Sequence, residues 1–148
     1  MAIVDILEYP HPVLRQKSEI VTQFDDGLTS LIVDMFDTMD SMKGIGLAAP
    51  QVGVLQQIII ISFESQSFEL INPKILEFSG KRDIQEEGCL SMPEVHVDVV
   101  RHNTIKVRAQ KRDGKSIEFE SDGMIARIIQ HEVDHLDGIL ITDKGLPK

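Results

Sequence analysis

The order of hydrophobic patterns along the chain restricts the folds that it can adopt. Apolar residues recur at helical spacing over residues 28–39 and 124–135, and the segment between them consists of short β-branched or alternating runs. Asp25 or Asp26 is placed to cap the first helix, which is amphipathic, and Gly138 is placed to end the second. A helix, a series of strands and a second helix are typical of an α+β fold with a mostly antiparallel sheet.

The middle of the chain contains several short runs with strand character. Asn72-Pro73 divides two of these runs, and Asp113-Gly114 between the last two is typical of a hairpin turn. The predicted strands cover residues 57–62, 68–72, 75–78, 95–99, 105–107 and 117–119.

Length and composition exclude several classes of protein. The chain has 148 residues, which predicts one domain over residues 1–148 with a short C-terminal tail after the second helix. A net charge of −9, from 15 basic and 24 acidic side chains, argues against nucleic acid as a partner, because phosphate binding needs basic surface. One cysteine excludes an intramolecular disulfide. The sequence has neither a signal peptide nor a long apolar run, so we expect a cytoplasmic protein without a membrane partner.

The second helix contains a pattern suited to metal chemistry. His131 and His135 are four residues apart, so they share one helical face and can bind the same divalent ion. Glu132 lies beside the first histidine, where it can reach a water molecule without being a ligand. This H-E-x-x-H arrangement predicts a metal-dependent hydrolase of peptide-like bonds. The alternative is a helix that carries two histidines by chance.

A catalytic site of this kind usually has three protein ligands, so a third residue is needed. Asp134 is a poor candidate because it projects from a different face of the helix. Cys89, the single cysteine, lies in a loop-like segment ahead of a predicted strand and is the better candidate. A free cysteine is also often a small buried apolar residue, and the sequence leaves both interpretations open.

A glycine-containing segment, GIGLAAPQ, covers residues 44–51. Its G-x-G-x-x-A spacing does not indicate a dinucleotide site, because a helix precedes it and Pro50 blocks a helix directly after it. Glycines of this kind allow a ligand to approach the backbone closely. An ordinary tight turn after the first helix is the alternative.

Taken together, three segments resemble the signatures of the peptide deformylase family. They are GIGLAAPQ at residues 44–51, EGCLS at 87–91 and QHEVDHLDG at 130–138, in that order. The opening YPHPVLR at residues 9–15 is also similar, and the resemblance runs from about residue 5 to residue 140. It implies one catalytic domain in which antiparallel β-sheets pack around a central metal-binding helix.

The resemblance also implies the chemistry. Enzymes of this family remove the formyl group from the N-terminal formyl-methionine of nascent polypeptides and release formate. Cys89, His131 and His135 would hold one divalent metal ion, which is usually Fe(II), with zinc or nickel also accepted. Glu132 would be the general base.

Four further positions carry over to the substrate side of the site. Gln51 and the backbone N–H of Leu90 would face the developing oxyanion. Gly46 would lie beside the formyl group and the substrate backbone, and Gly44 belongs to the same substrate-binding segment. The expected substrates and partners are therefore N-formyl-methionyl peptides.

The sequence departs from the family pattern in three places. Lys43 stands where many members have an acidic residue, and His96 stands where many have an arginine. Both positions belong to the substrate-binding rim, so the residue preferred after formyl-methionine stays open. The chain also ends shortly after Gly138, without the long C-terminal helix associated with ribosome docking, so ribosome association by that route is not expected.

Other functions are compatible with the residues alone. The chain could be another metal-dependent amidase or peptidase. Cys89 could instead be a nucleophile paired with a histidine, with no metal involved. A closed structural metal site in a binding protein is the remaining alternative, and it would need a fourth ligand from a histidine or an acid.

Overall fold

The computed structural model describes residues 2–147 and contains helices at both ends of a long β region. Short 3₁₀ turns occur at Pro12–Arg15 and Ala49–Val52. The helices and strands, in chain order, are α1 (Asp26–Ser41), β1 (Gly46–Ala48), β2 (Ile58–Phe63), β3 (Gln66–Cys89), β4 (Met92–Gln110), β5 (Ser116–Asp122), α2 (Gly123–Leu136) and α3 (Ile141–Lys144).

The five strands form one antiparallel sheet in the order β1-β2-β3-β4-β5. Each strand pairs with the next along the chain, because a short turn suffices to reverse the direction of an antiparallel neighbour. The predicted α+β class and antiparallel pairing are confirmed. The prediction of separate sheets is not matched, since hydrogen bonding joins all five named strands in a single sheet.

Strand β2 is buried on both faces and connects the two halves of the core. Ile59 and Ile61 point toward α2, whereas Ile58 and Ile60 point toward α1, as expected for alternate side chains of a strand. All four isoleucines are fully buried. The sheet therefore lies between the two long helices, and β2 positions both relative to it.

Helix α1 begins at a capped N-terminus, since Asp25 Oδ1 accepts a hydrogen bond of 3.0 Å from the backbone N–H of Leu28. Its apolar face packs on β2 through Ile32, Met35 and Met39. Helix α2 is different, because Asp122 at its N-cap position makes no capping bond with its side chain.

Strand β3 continues through Asn72-Pro73, where the sequence predicts two separate strands. The register with β4 shifts between Ile71 and Lys74, so Pro73 lies in an irregularity where its missing N–H disrupts no pairing. Asn72 has a φ of +52°, and its side chain is held by three hydrogen bonds. The long β3–β4 hairpin that results carries Cys89 at its tip.

In residues 2–147, no helix is long and apolar enough to cross a membrane.

Candidate metal centre

Three potential metal-binding side chains converge between α2 and the end of β3. The donor atoms of Cys89, His131 and His135 all lie within 4.8 Å of one another. Cys89 Sγ is 3.2 Å from His135 Nε2, and the two imidazole rings are 5.2 Å apart between centroids. One turn of helix places the histidines together, and the hairpin brings in a cysteine more than forty residues earlier in the chain.

Glu87 determines how His131 is presented to this cluster. Its Oε1 accepts a hydrogen bond of 2.9 Å from His131 Nδ1, so Nδ1 carries the proton and Nε2 is the atom left to bind a metal. Arg101 donates two further bonds to the same carboxylate, at 2.9 and 3.0 Å. Arg101 also donates to Asp134, at 2.6 Å, so Asp134 is occupied away from the cluster.

The donor set fits a divalent metal ion with one open position. A thiolate and two imidazoles are ligands of zinc and of other first-row divalent metals, and three protein ligands are usual for a catalytic rather than a structural site. Glu132 is 4% exposed, and its Oε1 has no hydrogen-bond partner among the described residues. A buried carboxylate oxygen without a partner beside such a cluster fits a site that also receives a water molecule.

Burial and neighbouring charges shift the pKa values of Glu132 and the two histidines. Burial raises the pKa of Glu132 to about 7, close to the value that suits a general base in neutral solution. Burial and the charges of His131 and Arg101 lower the pKa of His135 to about 3. Burial would also lower the pKa of His131, but Glu132, Cys89 and Glu87 raise it to about 10.

Gln51 has a fixed orientation next to Cys89. Its Oε1 accepts a hydrogen bond of 2.9 Å from the backbone N–H of Ala48, so Nε2 must face the other way. Nε2 donates to Ser91 Oγ at 3.1 Å and lies 3.6 Å from Cys89 Sγ. The amide N–H₂ group thus points toward the cluster, and Leu90 follows Cys89 in the turn between β3 and β4.

Gly44, which precedes β1, and Gly46, the first residue of β1, are close to the site. A Cβ atom on Gly46 would lie 2.5 Å from Glu132 Oε2 and 2.8 Å from Ile128 Cγ2, so no larger residue fits without displacing the carboxylate. A Cβ atom on Gly44 would lie 2.9 Å from Leu90 Cδ1, which is the movable end of a side chain.

A cleft of about 440 Å³ leads to the cluster. Apart from His135, every site residue predicted from the sequence lines this cleft. Lys43 and His96, the two departures from the family pattern, are exposed and also line it.

The sequence interpretation gave no role to the polar network behind the cluster. In the sequence, Glu87 belongs to a motif without an assigned function, and no motif marks Arg101 or Arg127. The sequence predicts a loop-like segment around Cys89, so the position of Glu87 two residues earlier gives no signal of a shared side.

Comparison with known proteins identifies the family. A family model described as polypeptide deformylase matches residues 3–147. The chain belongs to the polypeptide deformylase family. Peptide deformylase 1 of Bacillus subtilis (strain 168) is 46% identical over 146 residues, which cover 97% of this chain and 91% of that protein.

Solved structures of deformylases share the fold. A crystal structure of peptide deformylase from Thermotoga maritima superimposes with a TM-score of 0.96 and 42% identity, over 98% of this chain and 99% of that one. A Met-Ala-Ser-bound class I type b peptide deformylase from Acinetobacter baumannii gives a TM-score of 0.93 and 33% identity, over 96% and 98% of the two chains. Deformylases are metal-dependent hydrolases that remove the N-formyl group from nascent chains, and this chain is an enzyme of that family.

Proposed function

We propose that this deformylase hydrolyses the formamide of N-formyl-methionyl peptides with one divalent metal ion held by Cys89, His131 and His135. The observation that carries the proposal is the position of Glu132. Its buried carboxylate lines the cleft that leads to the three donors, with Oε2 3.9 Å from His131 Nε2 and Oε1 without a partner among the described residues.

Fe(II) is the proposed metal in the cell, and the same thiolate and imidazole donors also accept zinc or nickel. When bound, such an ion lowers the pKa of a water molecule to about 7 and polarises the formyl oxygen. Helix α2 is then the metal-binding helix of the fold, and it is positioned by the sheet on which Ala126 and Ile129 pack.

Glu132 acts as general base and then as general acid. Its carboxylate takes a proton from the attacking water and passes that proton to the amine that leaves, so that formate and a free N-terminus are released. The pKa of about 7 supports both halves of this transfer near neutral pH. Burial excludes bulk water, which would otherwise compete for the proton.

Gln51 and Leu90 stabilise the oxygen that becomes negative as the formyl carbon is attacked. The amide of Gln51 is held in one orientation by Ala48, so its Nε2 faces the ligand cluster before charge develops. The backbone N–H of Leu90 is the second donor. Ser91 supports this arrangement, since its hydroxyl oxygen accepts a hydrogen bond from Gln51.

The substrate peptide binds along β1. Within residues 2–147 this strand pairs with β2 on one side only, so its other edge is available for an added strand. Methionine then enters the apolar part of the cleft formed by Leu90, Met124 and Ile128. The Acinetobacter baumannii relative in complex with Met-Ala-Ser supports peptide binding of this kind, because that tripeptide is the product expected from formyl-Met-Ala-Ser.

We place the reaction in the cytoplasm, on nascent chains, and expect residues 1–148 to act as one catalytic domain. Every proposed catalytic residue lies at or before His135, so free formylated peptides suffice as substrates and ribosome association is not required.

Formate release from formyl-Met-Ala-Ser by anaerobically purified protein tests the proposal, with Glu132→Gln as the matched variant. Glutamine keeps the size and hydrogen bonding of glutamate but cannot accept a proton. We expect the variant to keep its metal and its fold, while kcat falls about 10²–10⁴-fold and KM changes much less. Wild-type-like kcat with normal metal content would remove Glu132 from the mechanism.

A further inference from the structure

We propose that Arg127 is a positioning residue for the metal centre, which it serves by fixing Glu87 and, through it, His131 relative to Cys89. The inference rests on the proposed function and extends it to a residue outside the catalytic set. Arg127 is 5% exposed. Within residues 2–147, its side chain donates hydrogen bonds to Glu87, Val99 and Asp83, none of which is a proposed metal ligand.

The positions of Arg127 and Glu87 in the chain connect the two elements that supply the ligands. Arg127 precedes His131 by four residues on α2, so the two side chains lie one above the other on the same helical face. Glu87 precedes Cys89 by two residues on β3, and both side chains contact α2, Glu87 at His131 Nδ1 and Cys89 at His135 Nε2. The ion pair between Arg127 and Glu87 therefore lies next to a proposed ligand on each element.

The contacts of Arg127 extend to both strands of the hairpin. Nη1 donates to Glu87 Oε2 at 2.5 Å and to the backbone carbonyl of Val99 at 3.1 Å. Nη2 donates to the carbonyl of Asp83 at 2.8 Å. One guanidinium thus joins α2 to β3 at two points and to β4 at a third. A planar group with several donors suits this better than an ammonium.

The charges of the network show why Arg101 alone cannot replace this contact. Arg101 is shared between the buried Glu87 and the partly exposed Asp134, so Arg127 provides a second guanidinium for Glu87. Without Arg127, Glu87 Oε2 keeps only the bond from Arg101 Nε, and the buried carboxylate loses one of its two arginine partners. The carboxylate that orients His131 would then be free to shift.

The test measures how fast cobalt(II)-loaded protein loses its metal to a chelator, together with the visible absorption of the cobalt–thiolate centre. The variants are Arg127→Met and Arg127→Lys. Arg112→Met is the control, since it removes another arginine–glutamate pair, with Glu69, which is more exposed than Arg127–Glu87 and lies away from the metal centre. Thermal unfolding checks that each variant is folded.

We expect Arg127→Met to lose metal about 10–100-fold faster and to show a changed absorption spectrum, as for other residues that orient metal ligands. The rate of metal loss from Arg127→Lys should lie between those of Arg127→Met and the wild type, because an ammonium reaches fewer of the three acceptors. Arg112→Met should behave as the wild type. A wild-type rate of metal loss and a wild-type spectrum in folded Arg127→Met would overturn the inference. If Arg127→Met does not fold, a wild-type rate and spectrum in folded Arg127→Lys would overturn it.

A double-mutant cycle separates action through Glu87 from a general structural effect. If Arg127 acts through Glu87, Arg127→Met should add little to the metal loss already seen in Glu87→Gln. Full additivity of the two changes would contradict the proposed route. Failure of the wild-type protein itself to bind metal or release formate would contradict the proposed function instead, so the two failures are distinguishable.

Discussion

Gly46 is the residue whose size is most tightly limited by the catalytic arrangement. Because a Cβ atom there would lie 2.5 Å from Glu132 Oε2, Gly46→Ala must move the carboxylate or the strand. We expect kcat for formyl-Met-Ala-Ser to fall at least about tenfold while metal content is retained, since a small displacement of a catalytic group is costly.

Gly27→Ala is the control for this change. A Cβ atom at Gly27 would meet only Asp25 Oδ1, at an ordinary distance of 3.4 Å, and alanine favours the helix in which it lies. Equal activity of the Gly46 and Gly27 variants would show that Glu132 tolerates displacement, contrary to its proposed role.

Two substitutions of Cys89 test whether this residue binds the metal or only packs against its neighbours. Cys89→Ala removes one of three proposed ligands and should lower metal content sharply, whereas Cys89→Asp should retain metal with a changed preference, because a carboxylate is a harder ligand than a thiolate. Metal analysis of both purified variants by mass spectrometry is the measurement. Full metal content and activity in Cys89→Ala would show that the cysteine is only a small buried side chain.

At the scale of elements, the irregularity in β3 depends on one side chain. Asn72 Oδ1 accepts from the backbone N–H of Val21 at 2.8 Å, and Nδ2 donates to the carbonyl of Val21 and to Gln110 Oε1. It also occupies the left-handed region of φ, which asparagine tolerates better than alanine. Asn72→Ala should therefore lower the free energy of unfolding by about 2–3 kcal/mol, since each such hydrogen bond contributes about 1 kcal/mol.

Denaturant unfolding of Asn72→Ala beside Asn103→Ala tests this prediction. Asn103 is also partly buried on the long hairpin, but its side chain makes a single hydrogen bond, with its chain neighbour Thr104. A smaller loss in Asn72→Ala than in Asn103→Ala would show that the contacts with Val21 and Gln110 do not hold β3 together.

The elements differ in how far the sequence determines them. α1 and α2 cover the two segments of helical periodicity, because an amphipathic stripe several turns long is a repeated local signal. β1 has only three residues, too few to show alternation, and it was not predicted. The sequence predicts two strands on either side of Asn72-Pro73, because proline usually ends a strand. The hydrogen bonds of Asn72 that keep β3 continuous come from residues far away in the chain.

The same distinction holds for the site. His131 and His135 are recognisable because helical geometry alone brings them together. Cys89 is a candidate third ligand from the residues alone, but the place of Gln51 beside it follows only from the family resemblance, since no local rule connects Gln51 to Cys89, 38 residues later. The network of Glu87, Arg101 and Arg127 could not be predicted, because its members pair across two strands and a helix whose register is set by the complete sheet.

At the scale of the whole molecule, the site depends on segments from most of the chain. The N-terminal segment contacts it directly, since the backbone N–H of Leu7 donates to the carbonyl of Gln51 at 2.7 Å and that of Tyr9 donates to the carbonyl of Ser91 at 2.8 Å. β1, the hairpin tip and α2 supply the remaining walls. Catalysis therefore requires the complete fold, which is the expectation for residues contributed by several elements and positioned by their packing.

Metal content and formate release, measured together, test the central claim most directly. Protein stripped of metal by a chelator is titrated with Fe(II) under anaerobic conditions, and turnover of formyl-Met-Ala-Ser is followed at each step. We predict no turnover by the stripped protein and a linear rise to a plateau at one metal ion per chain. Turnover that persists after stripping would indicate a metal-independent mechanism such as a Cys89 nucleophile, and a full complement of metal without turnover would indicate a structural site; either result would contradict the account.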